Sequence, residues 1–271
     1  MNNKLVMITG AASGIGKATA ELLHAKGYSL WLIDMNEAAL KTMQQSLPNT
    51  EITVCNLTDK NALEVLSEKI KQKDKIDVAF LNAGIVMPGD FIDSPFEKSE
   101  LQLNLNLYST LFLNHVCGRK MKAQGNGHII NTVSMAGIIG LKGSAIYSAG
   151  KFGLRGFLMA FRNEMQPFGV AVSGIYLSAV DTAMLRAEAT DPKGTALNFL
   201  SEPIEPSKVA SLILKLLKSK KAEVYMPYID SLTTKFLGAF PWLIPFIYPI
   251  LEKIGERGRR KYIKKHGLLS T

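Results

Sequence analysis

Tyr147 and Lys151 stand four residues apart in 144-SAIYSAGKFG-153, at the start of a predicted helix. That spacing puts both side chains on one helical face. A free tyrosine titrates near 10 and is a poor base at neutral pH. An ammonium about 4 Å away contributes up to ~4 kcal/mol at an effective dielectric of 20. That would lower a phenol by roughly two to three pKa units. Such a tyrosine exchanges a proton with a substrate hydroxyl or carbonyl. Taken alone, the pair reads as an ordinary helix surface pair. Here Ser134 ends a predicted strand 13 residues earlier, with a hydroxyl that can hold a reacting oxygen. Asn106, in 104-NLNLYST-110, is an odd helix-interior residue unless its amide has a partner.

A second group of residues suits a phosphate-bearing ligand. The segment 9-TGAASGIG-16 places Gly10, Gly14 and Gly16 between a strand and a helix. Glycine allows the tight turn and the close approach of a pyrophosphate, and the helix N-terminus supplies free N–H groups. Asp34 ends the next strand, 18 residues past Gly16, where a carboxylate can accept hydrogen bonds from an adenosine ribose. A 2′-phosphate there would meet like charge, and Ser13 and Met35 offer no cation. The cofactor expected is NAD, with NADP disfavoured. Asp34-Met-Asn-Glu also reads as a helix-capping sequence.

The elements that position these residues alternate. Short apolar runs at 5–9, 29–34, 51–55, 77–82, 128–134, 170–177 and 222–226 read as strands. Helical patterns at 15–26, 36–46, 60–72, 98–124, 145–166 and 207–219 separate them. The order predicts an α/β chain with a parallel sheet and helices on both faces. Two segments follow, a catalytic dinucleotide-binding domain over 1–226 and a C-terminal helical, apolar and basic extension over 227–271. Loop 178–205 shows no obvious core face and reads as a substrate loop.

TGAASGIG, NAG (82–84), the Asn106 segment, Ser134 and YSAGK together resemble the short-chain dehydrogenase/reductase family, in its single-domain TGxxxGxG/YxxxK branch. The resemblance spans about residues 4–226. It implies a Rossmann fold, a doubly wound seven-stranded parallel sheet, and hydride transfer between nicotinamide and an alcohol or ketone carbon. By position, Tyr147 is the implied acid/base, and Lys151 lowers its pKa and binds the nicotinamide ribose. Ser134 steadies the substrate oxygen, and Asn106 holds a relay water near Lys151. Gly10, Ser13, Gly14, Ile15, Gly16, Asp34, Asn56, Leu57, Asn82, Ala83, Gly84, Tyr147, Lys151, Val180 and Thr182 are the implied cofactor contacts. Three departures stand out. Asn56 replaces the frequent Asp, and Leu177-Ser178 replaces the usual Pro-Gly, although 180-VDT-182 follows in place. Gly150 precedes the lysine at a helix cost on the order of 1 kcal/mol, with close packing as its one physical rationale.

Length and composition limit the rest. The 271 residues are 47% hydrophobic and 20% charged, which fits one folded α/β domain with an elaboration and excludes wholesale disorder. Two cysteines and four scattered histidines give no disulfide framework and no metal site. The N-terminus is no secretory signal, and no apolar stretch reaches the length of a spanning helix. The net charge of +9 first invites nucleic acid. However, 252–267 holds seven Lys or Arg against two Glu, more than half of that charge, and carries no base-reading motif. It follows the aromatic run 236-FLGAFPWLIPFIYPI-250, whose prolines every four residues disfavour a regular spanning helix. The expectation is peripheral membrane contact through 236–266, with a cap on the substrate pocket or a subunit interface as the alternative. The resemblance implies a homodimer or homotetramer through the long helices 98–124 and 145–166, and the whole reads as cytoplasmic, in lipid metabolism, without a nucleic-acid partner. Its expected chemistry is NAD(H)-dependent oxidoreduction of a lipophilic secondary alcohol or ketone (a steroid, retinoid or long-chain lipid). The alternatives are an NADPH-dependent 3-oxoacyl thioester reductase and a non-catalytic dinucleotide-binding module.

Overall fold

The computed structural model describes residues 4–268. Seven strands form one parallel sheet: β1 (Leu5–Thr9), β2 (Ser29–Asp34), β3 (Glu51–Val54), β4 (Val78–Leu81), β5 (Gly127–Thr132), β6 (Val170–Leu177) and β7 (Glu223–Met226). Their order is β3-β2-β1-β4-β5-β6-β7. The direction of winding reverses between β1 and β4, and ligands bind beyond the strand ends at such a point.

The strands are apolar without a break because both faces are covered. Alternate residues go to opposite sides. Met7, Trp31 and Ile33 join one core, while Val6, Ile8, Leu30 and Leu32 join the other. Helices α1 (Gly14–Ala25), α2 (Glu37–Ser46) and α8 (Pro206–Ser219) cover the second core. Helices α3 (Lys60–Gln72), α5 (Ser109–Gln124) and α6 (Ala145–Met165) cover the first. Each fully buried aliphatic side chain contributes about 1.5–3 kcal/mol. Trp31 is fully buried and its indole N–H donates to Thr53 Oγ1 at 3.0 Å, so its polar end is satisfied. Caps fix the helix ends. Asn36 accepts from the Ala39 N–H at the start of α2, Asp59 caps α3, and Gly125 ends α5 at φ +71°.

The structure departs from the sequence reading in two places, the first long helix and the substrate loop, and bears out the helical extension. The helix expected over 98–124 is split. Helix α4 (Phe96–Leu103) passes into a π-helical segment, Asn104–Tyr108, before α5 begins. Loop 178–205 does have a core face. It contains α7 (Ala183–Thr190) and a 3-10 turn, Ala196–Phe199. Leu185 and Ala189 bury against Phe199 and Tyr262, and Tyr262 comes from the extension, so the local sequence could not supply the partner. The extension is helical: α9 (Tyr228–Ala239) and α10 (Ile244–Lys265) meet at 97°. Pro241 opens the 3-10 turn between them, and Pro245 falls in the first turn of α10, where no N–H is needed. Among the described residues, no single helix is long and apolar enough to cross a membrane. Both cysteines are buried and free, and burial raises both thiols, to about 11 for Cys55 and about 12 for Cys117.

Candidate active site

The residues singled out in the sequence gather at and beyond the carboxyl ends of β1 to β6 and in the helices that follow. Thr9 Oγ1 accepts from the Asn82 N–H at 3.0 Å and the Ala83 N–H at 3.2 Å. Asn82 Nδ2 donates to the carbonyls of Thr9 and Gly10, and Asn82 Oδ1 accepts from Thr132 Oγ1 at 3.1 Å. Asn82 thus ties three strand ends together and holds the floor of the site.

Gly10 and Gly14 lie in the left-handed region, at φ +62° and +51°. A Cβ on Gly16 would stand 2.0 Å from the Gly10 carbonyl oxygen, so only glycine lets α1 start against that turn. A Cβ on Gly14 would approach Thr182 Cγ2 at 3.0 Å, which brings the loop after β6 to the glycine turn. Ser13 makes no cap hydrogen bond, and the first turn of α1 has no acidic residue. These features make a cradle for an anion at a helix N-terminus. Asp34 Oδ2 accepts from the Ala12 N–H at 3.0 Å and Oδ1 from the Asn36 N–H at 3.0 Å. Capping of α2 falls to Asn36, so Asp34 sits beside the glycine turn as a ribose acceptor would. Ser13, in the glycine turn, and Met35, next to Asp34 in the chain, are exposed and carry no charge. The donor set fits an adenine dinucleotide.

Other implied contacts are placed differently. Asn56 Oδ1 accepts from the Thr58 N–H and hydroxyl in its own turn, which leaves its amide NH2 for a ligand. Leu57 turns into the core, so only its backbone can serve. Ile15 also packs on the core. Val180 pairs with Ile204 in a parallel bridge, and the Ser178 N–H donates to the Met226 carbonyl at 2.9 Å. The loop thus keeps its hydrogen bonds without the Pro-Gly pair.

Tyr147 and Lys151 lie in the first two turns of α6. Lys151 is 3% exposed, and its Nζ stands 5.5 Å from the Tyr147 ring centroid and donates to the Thr132 carbonyl at 2.9 Å. Burial pushes the Tyr147 phenol up to about 12, a hydrogen bond with Ser134 opposes this, and the Glu188 charge adds to it. Burial lowers Lys151 to about 8. The tyrosine lowering expected from a cation at four-residue spacing is therefore not reached by the polypeptide alone. The ammonium sits over the ring and bonds to a carbonyl, and desolvation outweighs its attraction. Ser134 Oγ also accepts from the Ala136 N–H at 3.1 Å.

Asn106 is 1% exposed within the π-helical segment, a geometry common at functional positions. Its amide has the partner the sequence required. Nδ2 donates to the Ile85 carbonyl at 2.8 Å, and Oδ1 accepts from the Ile85 N–H at 2.9 Å. Gly84 packs closely against both Asn106 and Lys151. A Cβ there would stand 2.9 Å from Asn106 Oδ1 and 3.8 Å from Lys151 Nζ.

Sequence reasoning missed Glu188. It is buried in α7, its Oε1 accepts from the Thr195 N–H at 3.4 Å, and burial raises it to about 7. The signal was present: Leu185, Glu188 and Ala189 share a helical face at i, i+3, i+4, with a carboxyl on the apolar side.

The short chain dehydrogenase family model matches residues 4–193. A 3-oxoacyl-(acyl-carrier-protein) reductase FabG of Rickettsia prowazekii is 35% identical over 192 residues, covering 70% of this chain and 76% of the relative. An uncharacterised oxidoreductase of Staphylococcus aureus is 29% identical over 226 residues, covering 82% of this chain and 94% of its own. In fold, a short-chain dehydrogenase/reductase from Burkholderia phymatum in complex with NAD superposes at a TM-score of 0.78 with 21% identity, over 86% of this chain and 92% of that one. One from Sphingobium yanoikuyae in complex with NADPH gives 0.78 with 23% identity, over 89% and 95%. With the glycine cradle and the Ser134, Tyr147 and Lys151 cluster on the strand ends of such a sheet, the chain belongs to the short-chain dehydrogenase/reductase family, NAD(P)-dependent oxidoreductases acting on CH–OH groups.

Proposed function

We propose that this oxidoreductase uses NAD(H) and interconverts a secondary alcohol and a ketone of a lipophilic substrate, of the steroid, retinoid or long-chain lipid class. The convergence of Ser134, Tyr147, Lys151 and Asn106 beyond the strand ends carries the chemistry. When bound, the nicotinamide supplies or takes the hydride. Tyr147 Oη passes the proton to or from the substrate oxygen, and Ser134 Oγ steadies that oxygen. Lys151 binds the nicotinamide ribose and carries the positive charge beside the phenol. Asn106 holds a relay water near Lys151. Gly10, Ser13, Gly14, Ile15 and Gly16 hold the pyrophosphate, and Asn56, Leu57 and Asn82 to Gly84 line the adenine and nicotinamide sides. Val180 and Thr182 take the carboxamide. Asp34, beside the glycine turn with uncharged Ser13 and Met35, supports NAD over NADP.

Tyr147→Phe should lower turnover at least about a hundredfold on a lipophilic alcohol panel, since positioned acid–base catalysis contributes ~10²–10⁴. Full activity in that variant would sink the assignment. The 35% identity to a 3-oxoacyl-(acyl-carrier-protein) reductase favours a second reading, an NADPH-dependent thioester reductase. Cofactor affinities separate the two, because tighter NADPH than NADH binding would remove the role given to Asp34. The same proposal includes a cytoplasmic homodimer or homotetramer. Leu101, Tyr108, Phe152 and Met159, exposed on and around α4 to α6, support a subunit contact there. It also includes peripheral membrane contact through 236–266, supported by the aromatic and basic surface of the extension.

A further inference from the structure

The extension has two opposed sides. The inner one grips the substrate loop. A Cβ on Gly255 would stand 2.2 Å from the Ala196 carbonyl oxygen, and one on Gly258 1.9 Å from that of Phe199. Helix α10 therefore lies backbone to backbone on the 3-10 turn of the loop. Tyr262 donates its hydroxyl to Asp181 Oδ1 at 2.6 Å, and Arg259 Nη1 donates to the Gly194 carbonyl at 3.2 Å. Tyr248 takes the Lys142 N–H at 2.8 Å, between Ser134 and Tyr147 in the chain.

The outer side is apolar and then cationic. On α9, Ile229, Leu232 and Phe236 repeat at three- and four-residue spacing and are 76%, 50% and 56% exposed. The Phe240 ring lies 5.0 Å from Phe236, tilted, and 5.3 Å from Trp242, edge to face, which carries the apolar surface around the bend. Along α10, Phe246, Ile250, Lys253, Arg257, Lys261 and Lys264 continue on one stripe, all exposed. The stripe changes from apolar to basic without changing face.

We propose that this outer side, beginning at Tyr228 and so upstream of residue 236, is a docking surface for an anionic lipid bilayer, which fixes the substrate loop one helix layer away from the lipid. It rests on the membrane contact proposed above and specifies the surface that makes it. The apolar residues enter the acyl boundary, aromatic rings sit at headgroup level, and the cations meet lipid phosphates. A second copy seated two-fold on the same side would bring one basic stripe against another, whereas an anionic surface complements it. A lipophilic substrate dissolved in the bilayer then reaches Tyr147 past α10 and the loop held on its inner side.

The test uses the full chain with vesicles of phosphatidylcholine alone or mixed with phosphatidylglycerol. Flotation should be at least tenfold stronger with the anionic vesicles. Trp31 is fully buried and Trp242 is 63% exposed, so a blue shift in tryptophan emission on binding reports Trp242. Ile229→Glu with Phe246→Glu should cut flotation at least tenfold with an unchanged melting temperature, and Lys261→Glu with Lys264→Glu should remove the anionic preference. Amide exchange across 183–202 should slow on anionic vesicles. Wild-type protein that floats with neither vesicle overturns both readings. Flotation retained by the Ile229/Phe246 variant leaves membrane contact standing and overturns this surface. Loss of an oligomer in that variant, with no vesicle effect, assigns the surface to a second copy. Unchanged exchange over 183–202 during binding overturns the placement of the loop.

Discussion

Glu188 illustrates how one buried carboxyl can govern both stability and chemistry. Its folded pKa of about 7 lies above the ordinary 4.5 because burial penalises the charge. Between those values the folded chain holds a proton the unfolded chain has lost, so stability falls as pH rises through that window. Above it the ionised carboxyl costs the fold about 3 kcal/mol. Glu188→Gln keeps an acceptor for Thr195 and removes the titration. In thermal melts the variant should match wild type near pH 4.5 and exceed it by ~2–3 kcal/mol at pH 8. A constant difference across pH would show that Glu188 does not titrate in the fold. Its charge also raises Tyr147, so the same variant should move the alkaline rise of alcohol oxidation to lower pH. Tyr147 at about 12 is protonated at neutral pH and ready to give its proton to a carbonyl. Ketone reduction should accordingly be flat through neutral pH, while oxidation, which needs the phenolate, rises with pH.

Two glycines in helices separate tolerance from necessity. Gly150 was read as a close-packing position in α6. A Cβ there would meet Asn106 Cβ at 3.7 Å and Leu103 Cδ2 at 3.8 Å, which is ordinary contact. Gly150→Ala should therefore stabilise the protein by up to about 1 kcal/mol through helix propensity, read as a higher urea midpoint at unchanged slope. Gly258 is the opposite case, because its added Cβ would stand 1.9 Å from the Phe199 carbonyl oxygen. Gly258→Ala should cost roughly 1–3 kcal/mol as α10 is pushed off the loop. An unchanged melting temperature would contradict that backbone contact. The π-helical segment around Asn106 belongs with these elements. It was legible only as a misfit residue, since the carbonyl and N–H of Ile85 that hold the amide lie 21 residues earlier.

The two sheet cores contain no residue from the extension, whereas the third cluster, Leu185, Ala189, Phe199 and Tyr262, depends on it. Removing 227–268 should leave the sheet folded by circular dichroism and open the substrate loop to protease within 183–200. A cleavage pattern identical to that of the full chain would show that the extension does not hold the loop. Residues 1–3 and 269–271, the outer ends of the two expected segments, lie outside the described residues.

The strands, their order of alternation with helices, the glycine cradle and the Ser134, Tyr147 and Lys151 set were all written in the sequence. Each depends on local composition or short spacing: apolar runs covered on both faces, turns that admit only glycine, side chains one helical turn apart. The tertiary structure decided what depends on distant partners. Tyr147 is raised rather than lowered because burial outweighs a lysine already bonded to Thr132. Loop 178–205 gains a core, and α10 a fixed seat, because Tyr262 reaches Asp181 across 81 residues and Tyr248 reaches Lys142 across 106. Desolvation and long-range contact are sums over neighbours, and those neighbours are set only when the chain has folded.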